Sequence, residues 1–256
     1  MVISARACLA RVIAVLSAGL MAAGCTAVVA GTVRPTPGLK PRPITGQKIK
    51  QVLLDEAALS RMLDQPFKTE AQFPPLFGGR DQLSYAYGPA SPADCVGVVT
   101  VLARDAYHSA AVNDVVREIW WHTSDSVRVI SVAEGVVTLP TAADADALFA
   151  KFSQQWNQCD GTVVNLAGAT LSFADTVSDV RVANSVLAAT VSDQPSMPGS
   201  NPMPVARAMG LRVNCLVDVE VTFFGSEGPS GRGTANLDTS AVDIAHAMMD
   251  TISQLS

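Results

Sequence analysis

The chain has 256 residues and a mass of 26.7 kDa, with 48% hydrophobic and 16% charged residues and a formal net charge of −5. That apolar share excludes a disordered chain, and the length fits one ordinary domain or two small ones. A pI near 5.1 argues against the basic face that nucleic-acid binding needs, so no nucleic-acid partner is expected.

Residues 1–24 read as an export signal: Arg6 and Arg11 give the positive start, Val12–Ala23 is apolar but short for a permanent span, and no acidic residue precedes Asp55. The run Leu20-Met21-Ala22-Ala23-Gly24-Cys25 resembles a bacterial lipobox, with Ala22 where Leu is usual. It predicts cleavage before Cys25 and lipidation of that cysteine, a membrane anchor on the extracytoplasmic face. A plain secretory signal is the alternative. Cys8 then leaves with the signal, and Cys95, Cys159 and Cys215 remain for an oxidising compartment. Loss of Arg6 and Arg11 from 18 basic residues against 23 acidic ones takes the charge from −5 to −7.

Residues 25–48 form the lipidated cysteine and a tether, with Pro35, Pro37, Pro41 and Pro43 and no hydrophobic period. Arg34, Lys40, Arg42 and Lys48 make it basic, which suits an anionic membrane surface or simply a soluble spacer.

The domain is expected over 49–256. Gln51–Asp64 has a helical apolar face and stops before Pro66. Phe67–Pro92 is loop-rich. Val96–Leu102, Arg117–Trp121, Ser126–Ala133 and Gly135–Leu139 read as strands. Thr141–Cys159 is the clearest helix, with a capping-box-like Thr141/Asp144 start and a stripe of Ala145, Leu148, Phe149, Phe152 and Trp156. Further strands are expected at Thr162–Leu166, Ala169–Ala174, Val180–Ala183, Val186–Ser192 and Arg212–Phe224. In the last, Val217, Val219, Val221 and Phe223 alternate with Asp218, Glu220 and Thr222, predicting a half-buried strand with a solvated polar face. A terminal helix opens at Ser240 and Asp243, with Val242, Ala245, Met248, Met249, Ile252 and Leu255 inward. Strands in runs with flanking helices predict an α+β fold with a mainly antiparallel sheet.

Asp94-Cys95, Tyr107, the run Val136–Ala145, Trp156-Asn157-Gln158-Cys159, Ala206-Arg207-Ala208 and Val213–Val219 together resemble the extracellular sensor domain of mycobacterial Ser/Thr protein kinase H. This PknH-like extracellular domain also occurs alone in mycobacterial lipoproteins, and the resemblance covers roughly Val52 to Leu255. It implies helices packed on a sheet, a cleft between sheet and helices that holds a ligand, and a Cys95–Cys159 disulfide closing a loop of about 64 residues. The family's second disulfide would fall near Val205 and Thr222, which are not cysteines. Kinase activity is not implied: the glycine-rich loop, His-Arg-Asp and Asp-Phe-Gly are missing.

Few residues suggest chemistry of their own. Cys215, in a valine-rich strand, reads as a buried apolar residue, with a reactive thiol or an intermolecular bridge as alternatives. Trp120-Trp121-His122 is the densest aromatic cluster and the candidate ligand contact; the pleat should turn one tryptophan inward and the other to a cleft or to water. His108, His122 and His246 are scattered, so no metal or other cofactor is expected. Asp218 and Glu220 share a strand face, but a solvated face explains them better than a glycosidase pair. The glycines from Gly225 to Gly233 read as a flexible turn rather than a phosphate cradle, and no G-x-S-x-G occurs. The expected protein is a non-enzymatic, lipid-anchored envelope lipoprotein that binds a small or amphipathic ligand. The alternative is an adaptor docking onto another envelope protein through its surface.

Overall fold

The computed structural model describes residues 41–225 and 231–256. The expected signal, Cys25, most of the tether and Gly228 lie outside them. The chain enters through a 3-10 turn at Gly46–Val52 and α1 (Glu56–Leu63). Short strands β1 (Phe67–Lys68), β2 (Leu76–Gly78) and β3 (Ala90–Ser91) follow, then the single-turn α2 (Val96–Val99). β4 (Asp114–His122) and β5 (Val129–Thr138) precede α3 (Ala142–Cys159). β6 (Val163–Leu166), β7 (Phe173–Ala183), β8 (Val186–Asp193), β9 (Met203–Arg212) and β10 (Cys215–Phe223) lead to α4 (Ser240–Leu255). These strands form one ten-stranded sheet in the order β1-β4-β5-β10-β9-β8-β7-β6-β3, with β2 beside β4, and the pairings between them are antiparallel. The α+β architecture with a large antiparallel sheet is therefore present.

Each face of the sheet has its own core, because successive side chains of a strand point to opposite faces. Val217, Val219 and Val221 of β10 pack with Leu59 of α1 and Ile244, Met248 and Ile252 of α4. Leu216 of β10 instead joins Phe152 and Trp156 of α3 and Val98 of α2. At Gly210 of β9 a Cβ would lie 2.4 Å from Met249 Sδ, so glycine lets α4 sit close to the sheet. Thr141 caps α3, accepting from Asp144 N at 3.1 Å, and the expected apolar stripe of that helix is buried throughout. The Cys95–Cys159 disulfide is formed and ties the turn before α2 to the end of α3. The positions matching the family's second disulfide, Val205 and Thr222, are cross-strand partners on β9 and β10.

Several expected elements differ, each for a tertiary reason. Gln51–Asp64 is not one helix. Asp55 caps α1 by accepting from Ala58 N at 2.8 Å, while the preceding Leu54 N–H is taken by Glu134. The packed domain also begins inside the expected tether: Ile44 is buried and its N donates to Asn214 Oδ1 at 2.8 Å. Val96–Leu102 is a helical turn and a loop despite its β-branched composition. Its Gly97 and Val98 carbonyls accept from Arg207, and its Leu102 N–H donates to Asp218, so buried side chains on the sheet fix a shape that local propensity disfavours. The two strands expected around Gly135 are one, β5; glycine there leaves room for Leu102, whose Cδ1 a Cβ would meet at 2.3 Å. The strands expected before and after Val177 are likewise one, β7, irregular between Ser178 and Arg181. β9 was not expected before Arg212: Pro204, Arg207 and Gly210 disguise a central strand.

Candidate functional site

Residues 117, 119 and 121 of β4 lie on the sheet face that carries α2 and α3, whereas 116, 118 and 120 lie on the face that carries α1 and α4, as the pleat demands. Trp120 and Trp121 are thus on opposite sides of the sheet. Trp120 is 9% exposed and donates through Nε1 to Glu134 Oε1 at 3.3 Å, within the core under α4. Trp121 lines a recess of roughly 400 Å³ on the other side. His122 does neither; its Nδ1 contacts the Ser124 carbonyl and its ring meets Phe224 edge-on. The three adjacent aromatic-type residues do not converge on one site.

The recess has a floor of strands and a roof of loops. Arg117, Ile119 and Trp121 of β4 form one end of the floor, and Glu220 of β10, Asp193 of β8 and Asp175 of β7 the other. Val99–Val101 and the loop carrying Tyr85 and Tyr87 close over them. Neither long helix contributes to this recess; its roof is the end of α2 and the loops. Its rim is aromatic and exposed: Tyr85 is 74% exposed, Tyr87 68% and Phe73 42%. Tyr87 packs on Phe173 with ring centroids 4.6 Å apart, Phe73 on Trp121 at 5.7 Å, and the Arg104 guanidinium lies 4.2 Å from the Tyr85 ring.

Beneath one roof segment is a buried ion network that corrects the reading of Asp218 and Glu220 as a solvated face. α2 and α3 cover that face, and Asp218 is 1% exposed. Arg207 Nη2 donates to Asp218 Oδ1 at 2.9 Å and Leu102 N donates to Oδ2 at 2.7 Å. Burial raises the Asp218 carboxyl, opposed by Arg207 and these donors. Glu220 reaches Arg207 Nη1 at 3.5 Å and lies at the edge of the recess. Burial raises its carboxyl too, with Arg207 acting against it.

The acidic end of the recess is different. Asp175 and Asp193 follow the Thr176–Ser192 pair at the ends of β7 and β8 and hydrogen-bond to each other through their carboxyls. Burial, then the Asp193 charge, pushes Asp175 up to about 8, and burial raises Asp193 as well. No protein donor reaches Oδ1 of either, although both atoms are buried. At the opposite end, Arg117 Nε and Trp121 Nε1 are buried without an acceptor, while Arg117 Nη1 donates to Ser84 Oγ at 2.8 Å. Burial lowers the Arg117 guanidinium from its ordinary value. Unfilled hydrogen-bonding groups of this kind are costly in a finished core.

A second recess of similar size, about 420 Å³, lies on the α1 side between Lys50, Phe77 and Glu118. It is lined by none of the buried unpartnered atoms, and Lys50 already lies over the Phe77 ring at 4.8 Å. Among the described residues no group of three His, Cys, Asp or Glu side chains is placed to hold a metal ion. Cys215 is buried under α4, with burial raising its thiol to about 12, which leaves it a packing residue.

Sequence reasoning missed Asp175, Asp193, Arg117 and the aromatic rim. A signal was present: Phe173, Asp175 and Val177 share one face of β7, and Val191 and Asp193 share one face of β8. A carboxyl in phase with core residues marks a buried polar group.

No curated protein matches this chain. Its fold is similar to the crystal structure of the extracellular domain of PknH from Mycobacterium tuberculosis, with a TM-score of 0.67 at 18% identity, covering 84% of this chain and 100% of that one. The model of the PknH-like extracellular domain family matches residues 44–251, which take in the whole described sheet, α3 and most of α4. The chain belongs to the family of PknH-like extracellular domains.

Proposed function

We propose that this protein is a lipid-anchored envelope lipoprotein whose extracytoplasmic domain binds a small or amphipathic ligand, without catalysis, in the recess between the sheet and its loop roof. The single observation carrying this reading is that four residues with a buried, unpartnered polar atom, Arg117, Trp121, Asp175 and Asp193, line the recess under an exposed aromatic rim. Aromatic walls with a few convergent polar groups are the usual composition of a small-molecule site. The anchor rests on the lipobox-like run ending at Cys25, and among the described residues no helix is long and apolar enough to cross a membrane.

Mass spectrometry of an organic extract of the purified protein tests the binding role. A stoichiometric small molecule, lost from a Trp121→Ala variant, is the expected result; an empty protein of both types would overturn it. Docking onto another envelope protein is the second reading, favoured by the exposure of Tyr85 and Tyr87. It predicts an empty extract and one copurifying partner lost on substituting both tyrosines by Ser. For the anchor, Cys25→Ser should release the protein from membranes, and a variant still attached would sink the lipidation reading.

A further inference from the structure

The two ends of the recess are not alike. The β4 end offers donors, Arg117 Nε and Trp121 Nε1; the β7–β8 end offers acceptors, Asp175 Oδ1 and Asp193 Oδ1. Charge is equally uneven. Glu220 from β10 joins the two aspartates, and the basic group nearest it, Arg207 of β9, is already engaged by Asp218 and by the carbonyls of Gly97, Val98 and Val219. Arg117 lies at the far end on β4, and Arg104 is held over Tyr85 in the roof. Among the described residues no lysine, arginine or histidine forms an ion pair with Asp175 or Asp193. Asp175 is only 3% exposed, so water solvates it poorly.

We propose that the recess takes a ligand bearing an organic ammonium group, seated on the Asp175–Asp193 carboxyls with its apolar body along Phe173 and Tyr87. This rests on the reading of the recess as the binding site. An ammonium supplies several donors and a positive charge together, which matches two acceptors that the fold leaves unfilled. Aromatic faces beside it are attractive to a cation as well as to an apolar body. A neutral polyol would fill the acceptors but leave the excess of carboxyl groups uncompensated. A metal ion is a poorer match, because these carboxyls do not form a metal-binding group with a third ligand.

The hydrogen bond between the two aspartates requires a shared proton, and Asp175 retains it up to about pH 8. An arriving ammonium makes both carboxylates favourable. The bound state is then an ammonium held by two carboxylates, and the displaced proton passes to the buffer. Binding therefore strengthens as pH rises from about 6 to about 8.5, provided the ligand's own nitrogen stays protonated. The pair faces Glu220 and Arg207 across the floor, Arg117 at the far end and Tyr85, Tyr87 and Arg104 in the roof.

Three probes of one shape test this: phenethylammonium, 2-phenylethanol and phenylacetate, titrated into the purified protein with tryptophan fluorescence and calorimetry. The ammonium is expected to bind about tenfold or more tighter than the alcohol, the step expected when a neutral hydrogen bond becomes charge-assisted. Its binding heat should vary with the ionisation heat of the buffer, reporting one released proton. Asp175→Asn should remove both the proton release and the preference over the alcohol. The alcohol or the phenylacetate binding as tightly as the ammonium overturns the cation preference while leaving the recess a binding site. Ammonium binding without proton release overturns it too. Three blank titrations also overturn it, and the extract experiment above then decides independently whether the recess binds anything.

Discussion

Two carboxyl groups on opposite faces of the same sheet are both raised to about 8, and only one of them lines the recess proposed as a binding site. Glu134, on β5 under α1, accepts from Leu54 N at 3.2 Å and from Trp120 Nε1 at 3.3 Å, and is 1% exposed. Burial dominates its shift, and Glu118, its direct cross-strand partner, adds to it. Asp175, on β7, has a similarly buried Oδ1 that no protein donor reaches, facing a recess. A perturbed carboxyl is therefore not a functional signal by itself. What separates the two is whether the fold has already supplied partners. The closed face uses its polar groups to hold the entry segment to the sheet; the open face leaves one oxygen of Asp175 and of Asp193 without a protein donor.

The largest effects should follow from breaking the closed face. Trp120→Ala should destabilise the protein by about 3–5 kcal/mol, a typical cost for a large buried aromatic, whereas Trp121→Ala should cost no more than about 1–2 kcal/mol. Denaturant midpoints of the two variants check this, and equal costs would mean the faces are not functionally distinct. Arg207→Met removes one member of the buried ion pair and should cost about 3 kcal/mol or more, since Asp218 is left without its cation. Because Arg207 also holds the Gly97 and Val98 carbonyls, this variant should loosen the roof near Val99–Val101, read as faster amide exchange there; unchanged exchange would uncouple network from recess.

A smaller, pH-dependent effect sharpens the contrast. Glu134 stays neutral in the fold up to about pH 8 but ionises near its ordinary 4.5 when unfolded, so folding takes up a proton between these values. Stability conferred by the neutral group is complete below about pH 4.5 and falls as pH rises through about 8, by up to on the order of 4 kcal/mol. Glu134→Gln should flatten that decline. Asp175→Asn should flatten it by a comparable amount, because that carboxyl is also held near 8, from an ordinary 3.8. Stability curves across this pH range for the two variants check this, and a flat response to either substitution would remove that group from the comparison.

Much of the fold is legible in the residues. The stripe from Ala145 to Trp156 is strong enough to place α3 with its cap, and the valine alternation in Val217–Phe223 places the buried face of β10. The opposite face of β10 was misjudged because alternation says which residues point together, without saying what covers them. Trp121 was legible as a candidate ligand contact, but its neighbours in the recess come from β7, β8, β10 and the Tyr85 loop, far apart in sequence. Strand order decides that meeting, and order is a property of the assembled sheet.

The sequence alone carried the lipobox-like run, the antiparallel α+β pattern and the family motifs, and the Cys95–Cys159 pair followed from the family resemblance rather than from composition or period. Only the tertiary structure decided that Val96–Leu102 is a loop, that Asp218 is buried against Arg207, and that Asp175 and Asp193 stand unfilled in a recess. The physical reason is shared by all three. Whether a polar group is solvated, paired or left waiting depends on which distant backbone and side-chain groups the packed sheet brings beside it.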